Sequence, residues 1–381
     1  MTPNDSDIEY GTHDVEDKYV MLYGPSKALC GTGLAILIIL AIMGNLLTTI
    51  AFILDKSFHS VYDFYIFHLA VTDLLIGTIS MPFYAFYTIS NLIWPLGRIF
   101  CKIYKVVDFT LCFESILIML ILSLDRLLLL AYGPFYTEKE TMRKARIKLG
   151  ISWLISFIIY GPEIILWDFL TGKSDVESTQ CEVEFHNNYL YIVITAIIEF
   201  LLPFVVLTSM NMIIYFKIRQ RGRATNNSLS RRTNSVLNSC QETNLSTVNE
   251  KPSTLHVPAA YSSQLVRVNP EQKSKEQWTR GRDVKAARFL SVLVIAFFIC
   301  WVPYTITTVI KSFCAHCVNE NLYQFFQWLL FAKSSINPFL YALNSFRYKR
   351  TFLAFFSSVT RRGIRVGPVN SRGTTMADLV F

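Results

Sequence analysis

The sequence predicts an all-α fold, a bundle of seven helices that cross a membrane. Three observations support this prediction. The chain is 52% hydrophobic and only 17% charged, whereas soluble domains carry about 25% charged residues. Seven apolar stretches are each long enough to cross a bilayer. The basic residues are concentrated in segments that would lie on one side of that bilayer.

The seven apolar stretches are named here spans one to seven. A crossing helix needs about 20 mostly apolar residues because the hydrocarbon core is about 30 Å thick. Glycine and proline inside several spans do not contradict the prediction, since kinked helices are tolerated in membranes. The spans lie near residues 28–54, 64–87, 103–131, 149–170, 189–216, 286–313 and 322–343, so that 28–219 holds spans one to five and 286–344 holds spans six and seven.

The charged residues predict which side of the membrane each end occupies. Residues 1–27 hold six Asp/Glu and two lysines, whereas residues 217–285 hold 13 Lys/Arg and five Asp/Glu. Because Lys and Arg mark the cytoplasmic side, we expect residues 1–27 to form an extracellular N-terminus. Asn4 begins an Asn-Asp-Ser glycosylation sequon that falls outside the cell in this topology.

Three segments are expected on the cytoplasmic side. Residues 220–285 are rich in polar residues and poor in aromatics, so they cannot bury enough apolar surface to fold, and we predict a disordered loop. Residues 345–357 are amphipathic and basic, which predicts a helix lying on the inner membrane surface. Residues 358–381 are predicted to form a cytoplasmic tail.

Short motifs appear one span at a time, and together they resemble the rhodopsin-like G-protein-coupled receptors over nearly all of residues 28–357. The motifs are Gly44-Asn45 in span one, Leu69-Ala70-Val71-Thr72-Asp73 in span two, Cys101 and Asp125-Arg126 at the two ends of span three, Trp153 in span four, Pro203 in span five, Cys300-Trp301-Val302-Pro303-Tyr304 in span six, and Asn337-Pro338-Phe339-Leu340-Tyr341 in span seven.

The resemblance implies a multi-pass plasma-membrane receptor rather than an enzyme. Such a receptor binds a ligand from outside the cell and signals through a heterotrimeric G protein. Arrestin and receptor kinases are the further partners that the resemblance implies, beside the lipid bilayer itself.

Asp108 is the strongest candidate for a ligand-binding residue. An ionisable side chain within a span costs about 3 kcal/mol or more, so it is a functional candidate. Asp108 lies seven residues after Cys101, at a depth that resembles the amine-binding aspartate of aminergic receptors. A buried carboxylate needs a partner, and either a ligand ammonium or Lys333 would provide one. The resemblance places Lys333 deeper, near Asp73, and therefore favours a ligand, a small cationic amine.

The other candidate ligand contacts surround Asp108 according to the resemblance. Aromatic faces stabilise a bound cation, although simple packing is the alternative role of these aromatic residues. The candidates are Phe109 and Cys112 of span three, Thr195 and Glu199 of span five, Trp301, Tyr304 and Thr305 of span six, and Trp328 and Phe331 of span seven.

Glu199 indicates which amine to expect. It lies four residues after Thr195, so we expect both on one helical face. An acid here resembles the third and fourth histamine receptor subtypes, and two carboxylates on facing spans suit a ligand with donors at both ends. Histamine is therefore the expected ligand, with the inhibitory G protein as partner. The alternative is a muscarinic acetylcholine-like or a divergent amine receptor, because residues 75–81 resemble the muscarinic group. Histamine is preferred because the tyrosines that enclose the choline group in muscarinic receptors are only partly present in this sequence.

The resemblance also implies covalent and switching elements. Two extracellular disulfides are expected, Cys101–Cys181 and Cys314–Cys317, on the side where disulfides persist. Arg126 is the expected G-protein contact, held at rest by Asp125 and by Asp283 until span six swings outward. The remaining switch residues are Asp73, Phe297, Lys333, Asn337 and Tyr341.

Lys333 departs from the family pattern. An asparagine is usual at its position, close to the aspartate that holds a sodium ion in related receptors. We expect the Lys333 ammonium to pair with Asp73 in place of that ion.

Other protein classes are less consistent with the sequence. No phosphate-binding loop, zinc-ligand set or serine nucleophile motif is present, so we expect no catalysis, no cofactor, no metal site and no nucleic-acid partner. A membrane transporter is the competing class, and it would predict inverted repeats or interrupted paired spans. The sequence shows neither feature.

Overall fold

The computed structural model describes residues 24–55, 58, 60–174, 176–186, 188–223, 270–314, 316–344 and 348–353, with the backbone alone described at 24–26, 270–280, 282 and 344. Asn4, residues 224–269 of the predicted loop and the predicted tail lie outside the described residues. All the helices and connections discussed below belong to the described ranges.

Seven long helices form the spans, and every regular element within the described ranges is helical, which confirms the all-α prediction. Two short helices, Pro134–Lys139 and 348–353, follow spans three and seven. The spans are Gly24–Leu54, Val61–Ile89, Arg98–Tyr132, Met142–Thr171, Tyr189–Arg223, Pro270–Phe313 and Glu320–Asn344.

Side chains at the helix ends satisfy backbone groups that the helix itself leaves unpaired. Ser60, Thr141 and Asn188 each accept a hydrogen bond from the backbone N–H three residues later, and such N-caps stabilise a helix by about 1 kcal/mol. Gly172 ends span four with φ +70°, a left-handed conformation that glycine adopts without steric cost. These local signals explain where spans two, four and five begin and where span four ends.

Six of the described helices are long and apolar enough to cross a membrane by composition alone, and these are spans one to six. Span seven is less apolar because its polar residues face the bundle interior. Lys333, Ser334, Ser335 and Asn337 are each 4% exposed or less. A polar residue inside a membrane protein is stabilised by neighbouring spans, so this composition fits a seventh crossing.

Several helices extend beyond the predicted boundaries. Span three begins at Arg98 and span four at Met142, because both helices continue past the apolar stretch into polar surroundings. The segment 220–285 was predicted to be disordered, but span five continues to Arg223 and span six begins at Pro270. Both ends of that segment are therefore helical. Only 348–353 of the predicted surface helix is described, and it is helical.

Span three is the central helix of the bundle. Of its most apolar window, 67% is buried against protein, compared with 17% for span five. Span three packs against spans two and four, spans one and two pack against each other, and span seven packs against spans one and six. The Asn45 side chain donates a hydrogen bond to the backbone carbonyl of Ser334 at 3.0 Å and joins spans one and seven.

Two spans contain a π-helical turn, at Ile76–Ser80 in span two and at Ile197–Leu201 in span five. A π-turn holds more residues than an α-turn, and it changes which side chains face inward beyond it. Glu199 lies within the second of these turns. The turn therefore sets the direction of side chains on the wall of the cavity described next.

Candidate ligand-binding cavity

Side chains of spans three to seven line a cavity with about 450 Å³ of empty space, part of which is open to solvent. Concave sites lined by apolar and aromatic side chains with a few polar groups are typical of small-molecule binding. The wall is mostly aromatic, with two carboxylates on different spans. The lining residues are Asp108, Phe109, Cys112, Phe113, Tyr160, Glu199, Trp301, Tyr304, Gln327, Leu330 and Phe331.

Asp108 lies in this wall and is 5% exposed. The Cys112 thiol, one turn further along span three, lies 3.8 Å from its Oδ1 atom. Among the described residues no basic side chain lies within 4 Å of the carboxylate, and Lys333 pairs elsewhere. The structure thus presents a buried carboxylate to the cavity without a cation in direct contact.

Glu199 faces the same cavity from span five. The hydroxyl of Tyr160, on span four, interacts with the Glu199 carboxylate. Tyr160 also packs against Phe109 and Phe113, with ring centroids 5.5 Å away in both cases. A small ligand between spans three and five would therefore meet an acid at each end.

Aromatic rings complete the wall. Trp301 packs on Phe297 with ring centroids 5.4 Å apart, and within the described ranges its buried indole Nε1 has no hydrogen-bond acceptor. Tyr84 of span two donates a hydrogen bond at 2.7 Å to Oε1 of Gln327 and fixes that amide against the cavity. Trp301 therefore provides a donor, and the surrounding rings provide faces suited to a cation.

Three predicted contacts do not line the cavity. Thr195, in the helical turn before the π-turn, donates its hydroxyl to the Ile192 carbonyl of its own helix. Thr305 donates to the carbonyl of Trp301, one turn earlier in its own helix. Trp328 packs against Tyr84, and its indole donates to Thr88. A ligand contact of these three side chains stays a prediction.

Four lining residues were not among the predicted contacts: Phe113, Tyr160, Gln327 and Leu330. Phe113 and Leu330 carry no chemical signal that separates a cavity wall from lipid contact. Tyr160 had one usable signal, because a tyrosine hydroxyl inside a span requires a polar neighbour. That requirement did not identify Glu199 as the neighbour.

The outer end of span three is tied to the second outer loop. A disulfide joins Cys101 and Cys181, with Cα atoms 5.6 Å apart. Arg98 lies 2.9 Å from Asp168 and also pairs with Glu184 of the loop. A second disulfide joins Cys314 and Cys317 at the outer end of span six. Both expected disulfides are thus present in the structure.

Below the cavity, Asp73 is the centre of a buried polar cluster. It accepts hydrogen bonds from Ser334 at 2.8 Å, from Asn337 at 2.5 Å and from Ser115 at 3.3 Å. The ammonium of Lys333 lies 3.9 Å from Asp73 Oδ1 and donates to the Ser115 hydroxyl. The Lys333 nitrogen therefore lies where the sequence predicted it, beside Asp73.

At the cytoplasmic end, Arg126 lies 3.4 Å from Asp125 and its guanidinium stacks 3.6 Å from the ring centre of Tyr62. Tyr136 donates a hydrogen bond at 3.0 Å to the other oxygen of Asp125. Among the described residues no ion pair joins Arg126 to Asp283. In this structure Arg126 contacts Asp125 of its own span and Tyr62 of span two, and the lock to span six stays a prediction.

The other switch residues lie along the inner half of the bundle. Phe297 is fully buried beneath Trp301. The Tyr341 ring packs between Phe289 of span six and Tyr348, with centroids 5.6 and 5.9 Å away. A movement of span six would thus disturb the rings below the cavity.

The chain thus combines a seven-span bundle, a cavity with two carboxylates in its wall and a half-buried arginine at the cytoplasmic end. Residues 44–341 match the family described as 7 transmembrane receptor (rhodopsin family). The chain belongs to this family. It is therefore a multi-pass plasma-membrane receptor that signals through a G protein, and the family is not one of enzymes or transporters.

Proteins similar to this chain include muscarinic acetylcholine receptors. The muscarinic acetylcholine receptor M1 of Homo sapiens and that of Sus scrofa are each 26% identical over 405 residues, which cover 85% of this chain and 88% of theirs. A muscarinic acetylcholine receptor of Gallus gallus is 24% identical over 423 residues, covering 82% of this chain and 86% of its own. These similarities favour the muscarinic alternative and do not support the histamine expectation.

Proposed function

We propose that this chain is a receptor for a small cationic amine whose ammonium binds Asp108. The observation that carries the proposal is the Asp108 carboxylate, buried in the cavity wall without a cation in contact among the described residues. A buried carboxylate is costly unless it is paired. A ligand ammonium would supply the missing charge, and the aromatic wall would stabilise it further.

Acetylcholine is the first ligand to test, because the similar proteins reported above are named as muscarinic receptors. One observation favours a second candidate. Glu199 is an acceptor on the wall opposite Asp108, and an ester offers no donor to it. An amine with a donor at its far end, such as histamine, would satisfy both carboxylates.

The experiment is a concentration series of acetylcholine and of histamine on cells expressing the receptor, with G-protein activation as the readout. Asp108→Asn should reduce the potency of the active amine by about 100-fold or more, since a lost buried charge pair is worth about 3–5 kcal/mol. Glu177→Gln, which changes an exposed acid of the second outer loop, is the matched control and should leave potency unchanged.

Glu199→Gln separates the two ligands. If histamine is the agonist, the variant should weaken it, because the carboxylate meets its far end. If acetylcholine is the agonist, the variant should leave its potency equal or higher. An unchanged response of Asp108→Asn to the active amine would reject the proposed site. Activation of the inhibitory G protein, rather than another type, is the coupling we propose to measure first.

A further inference from the structure

Three basic side chains lie at the outer end of span three, and one of them differs from the others. Arg98 lies 2.9 Å and Lys102 lies 2.6 Å from Asp168, so both have a carboxylate partner. In the described part of the chain no carboxylate lies within 4 Å of Lys105. Its Nζ lies 5.9 Å from the ring centre of Tyr104, and no hydrogen bond or ion pair of this ammonium is recorded among the described residues.

Lys105 is nevertheless buried, with 6% of the residue exposed. Taking an ammonium out of water is costly unless an anion or hydrogen-bond acceptors compensate. Lysine is also almost never fully buried without a partner. The Lys105 Nζ is not among the fully buried polar atoms that lack a partner within the described residues, so the stem is buried while the ammonium keeps contact with water, which an anion can replace.

The position of Lys105 connects it to the cavity. Cys101, Lys105, Asp108 and Cys112 are spaced by four, three and four residues, a spacing that places them on one face of a helix. Asp108 and Cys112 line the cavity. Lys105 lies one turn outward, about 4.5 Å along the axis from Asp108, and its charge acts on the Asp108 carboxylate.

We propose that Lys105 forms an anion subsite beside the ammonium site, so that the receptor favours amines that also carry a carboxylate. The ligand class is then a zwitterionic amine, with its ammonium at Asp108 and its carboxylate at Lys105. This inference rests on the proposed function, because it assumes that Asp108 holds the ammonium.

The acid that competes for this role is Glu182. It follows Cys181, which is bonded to Cys101 one turn before Lys105, and its charge acts on Tyr104, the neighbour of Lys105. A permanent pair between Lys105 and Glu182 would make Lys105 structural. Such a role predicts that removal of Lys105 affects every ligand alike.

The test uses pairs of compounds that differ by one carboxylate. Acetylcarnitine is acetylcholine with a carboxymethyl group, and histidine is histamine with a carboxylate on the carbon that bears the amine. Binding of each compound is measured on intact receptor in membranes, with surface expression as the check on folding. The variants are Lys105→Gln, Lys105→Arg and, as control, Lys102→Gln, which removes a lysine that already has a carboxylate partner.

We expect Lys105→Gln to weaken the zwitterion of the binding pair about tenfold, equal to about 1.4 kcal/mol. The plain amine should bind equally well or better, because a like charge near its ammonium has gone. Lys105→Arg should keep the preference for the zwitterion over the plain amine. Lys102→Gln should change the affinity for both compounds by the same factor.

Three results would contradict these expectations in different ways. If the plain amines bind through Asp108 but their zwitterions do not bind, the anion subsite alone is rejected. The same conclusion follows if Lys105→Gln weakens both compounds equally. If neither member of either pair binds, or if binding ignores Asp108→Asn, the proposed function fails and the subsite fails with it.

Discussion

Asp73 and Lys333 differ in the number of hydrogen bonds that each would keep if the other were removed. Asp73 accepts hydrogen bonds from Ser115, Ser334 and Asn337, whereas Lys333 donates only to Ser115 among the described residues. Both side chains are buried, with Lys333 3% exposed and Asp73 0%. Because removing one partner leaves the other charge buried and unpaired, the two deletions are expected to have unequal costs.

Asp73→Asn should lower the free energy of unfolding by about 3–5 kcal/mol, since it leaves the buried ammonium without a carboxylate. Lys333→Gln should be milder, because three hydrogen bonds remain to Asp73. Thermal melting of the purified receptor measures both. The double variant Asp73→Asn/Lys333→Gln should recover part of the loss, and a purely additive loss would argue against coupling between the two charges.

Sodium should have little effect on agonist affinity in this receptor, because the Lys333 nitrogen already lies beside Asp73. Lys333→Asn removes that positive charge and should produce a sodium-dependent decrease in affinity. Agonist competition binding in sodium chloride and in an organic-cation salt of equal ionic strength measures the difference. A large sodium effect on the unaltered receptor that Asp73→Asn abolishes would contradict this prediction.

Glu114 is a second buried acid whose role is local. It is fully buried, and its two oxygens accept hydrogen bonds from Ser152 at 2.7 Å and Ser156 at 2.9 Å, which join spans three and four. Glu114→Gln keeps the side-chain shape and one hydrogen-bond acceptor. We therefore expect its free energy of unfolding to lie within about 1 kcal/mol of that of the unaltered receptor. Glu114→Ala should cost about 2–4 kcal/mol through lost hydrogen bonds and a cavity. Equal losses in both variants would show that the negative charge itself is required.

At the scale of elements, Arg126 lies at the cytoplasmic ends of spans two and three, between the Asp125 carboxylate and the Tyr62 ring. The guanidinium stacks on Tyr62 at 3.6 Å and lies 3.4 Å from Asp125. A cation–π contact of this kind is worth about 0.5–2 kcal/mol. Leu127 follows Arg126 where related receptors have tyrosine, so an aromatic contact with the arginine is supplied here by another span.

Tyr62→Leu should raise basal G-protein activation several-fold, because a loss of about 1 kcal/mol shifts a two-state equilibrium about fivefold. Tyr62→Phe keeps the ring and is the matched control, expected to retain low basal activity. Nucleotide exchange without ligand, corrected for surface expression, is the measurement. If Leu and Phe behaved alike, the ring could not be the restraint on Arg126.

The elements themselves differed in how far the sequence predicted them. The spans were predictable because lipid contact requires a long apolar run, and their ends extend outward where capping residues such as Thr141 occur. The π-turns were not predictable, since an apolar run of lipid-facing residues shows no periodicity that separates a π-turn from an α-turn.

At the scale of the whole molecule, the two disulfides close loops of very different length. Cys101 and Cys181 are 80 residues apart, whereas Cys314 and Cys317 are three apart. Replacing the first pair by alanines should cost about 2–5 kcal/mol, and replacing the second should cost less, because the entropic gain from closing a loop grows with its length. Thermal melting and ligand binding of the two double variants test this order. Equal losses would indicate that loop length does not determine their contributions.

The site was predicted in part because charge inside a membrane is rare. Asp108, Glu199 and Lys333 stand out in the sequence on that ground alone, and the structure places the two acids in one cavity. Ligand identity was not determined in this way, because an acid restricts the partner to a donor or a cation without selecting among amines. The similar muscarinic receptors changed that preference, while Lys105 became visible only through its burial in the folded chain.

The π-helical turn at Ile197–Leu201 has a practical consequence for anyone who transfers positions between receptors. A turn that accommodates an additional residue behaves like a one-residue insertion that an alignment of equal-length helices cannot reveal. If positions on span five are matched between receptors by counting residues from Pro203 towards the outer surface, every residue beyond the turn is matched to a position one residue away from the correct one. Docking or mutagenesis planned from such a count would test the wrong residues on the outer half of span five.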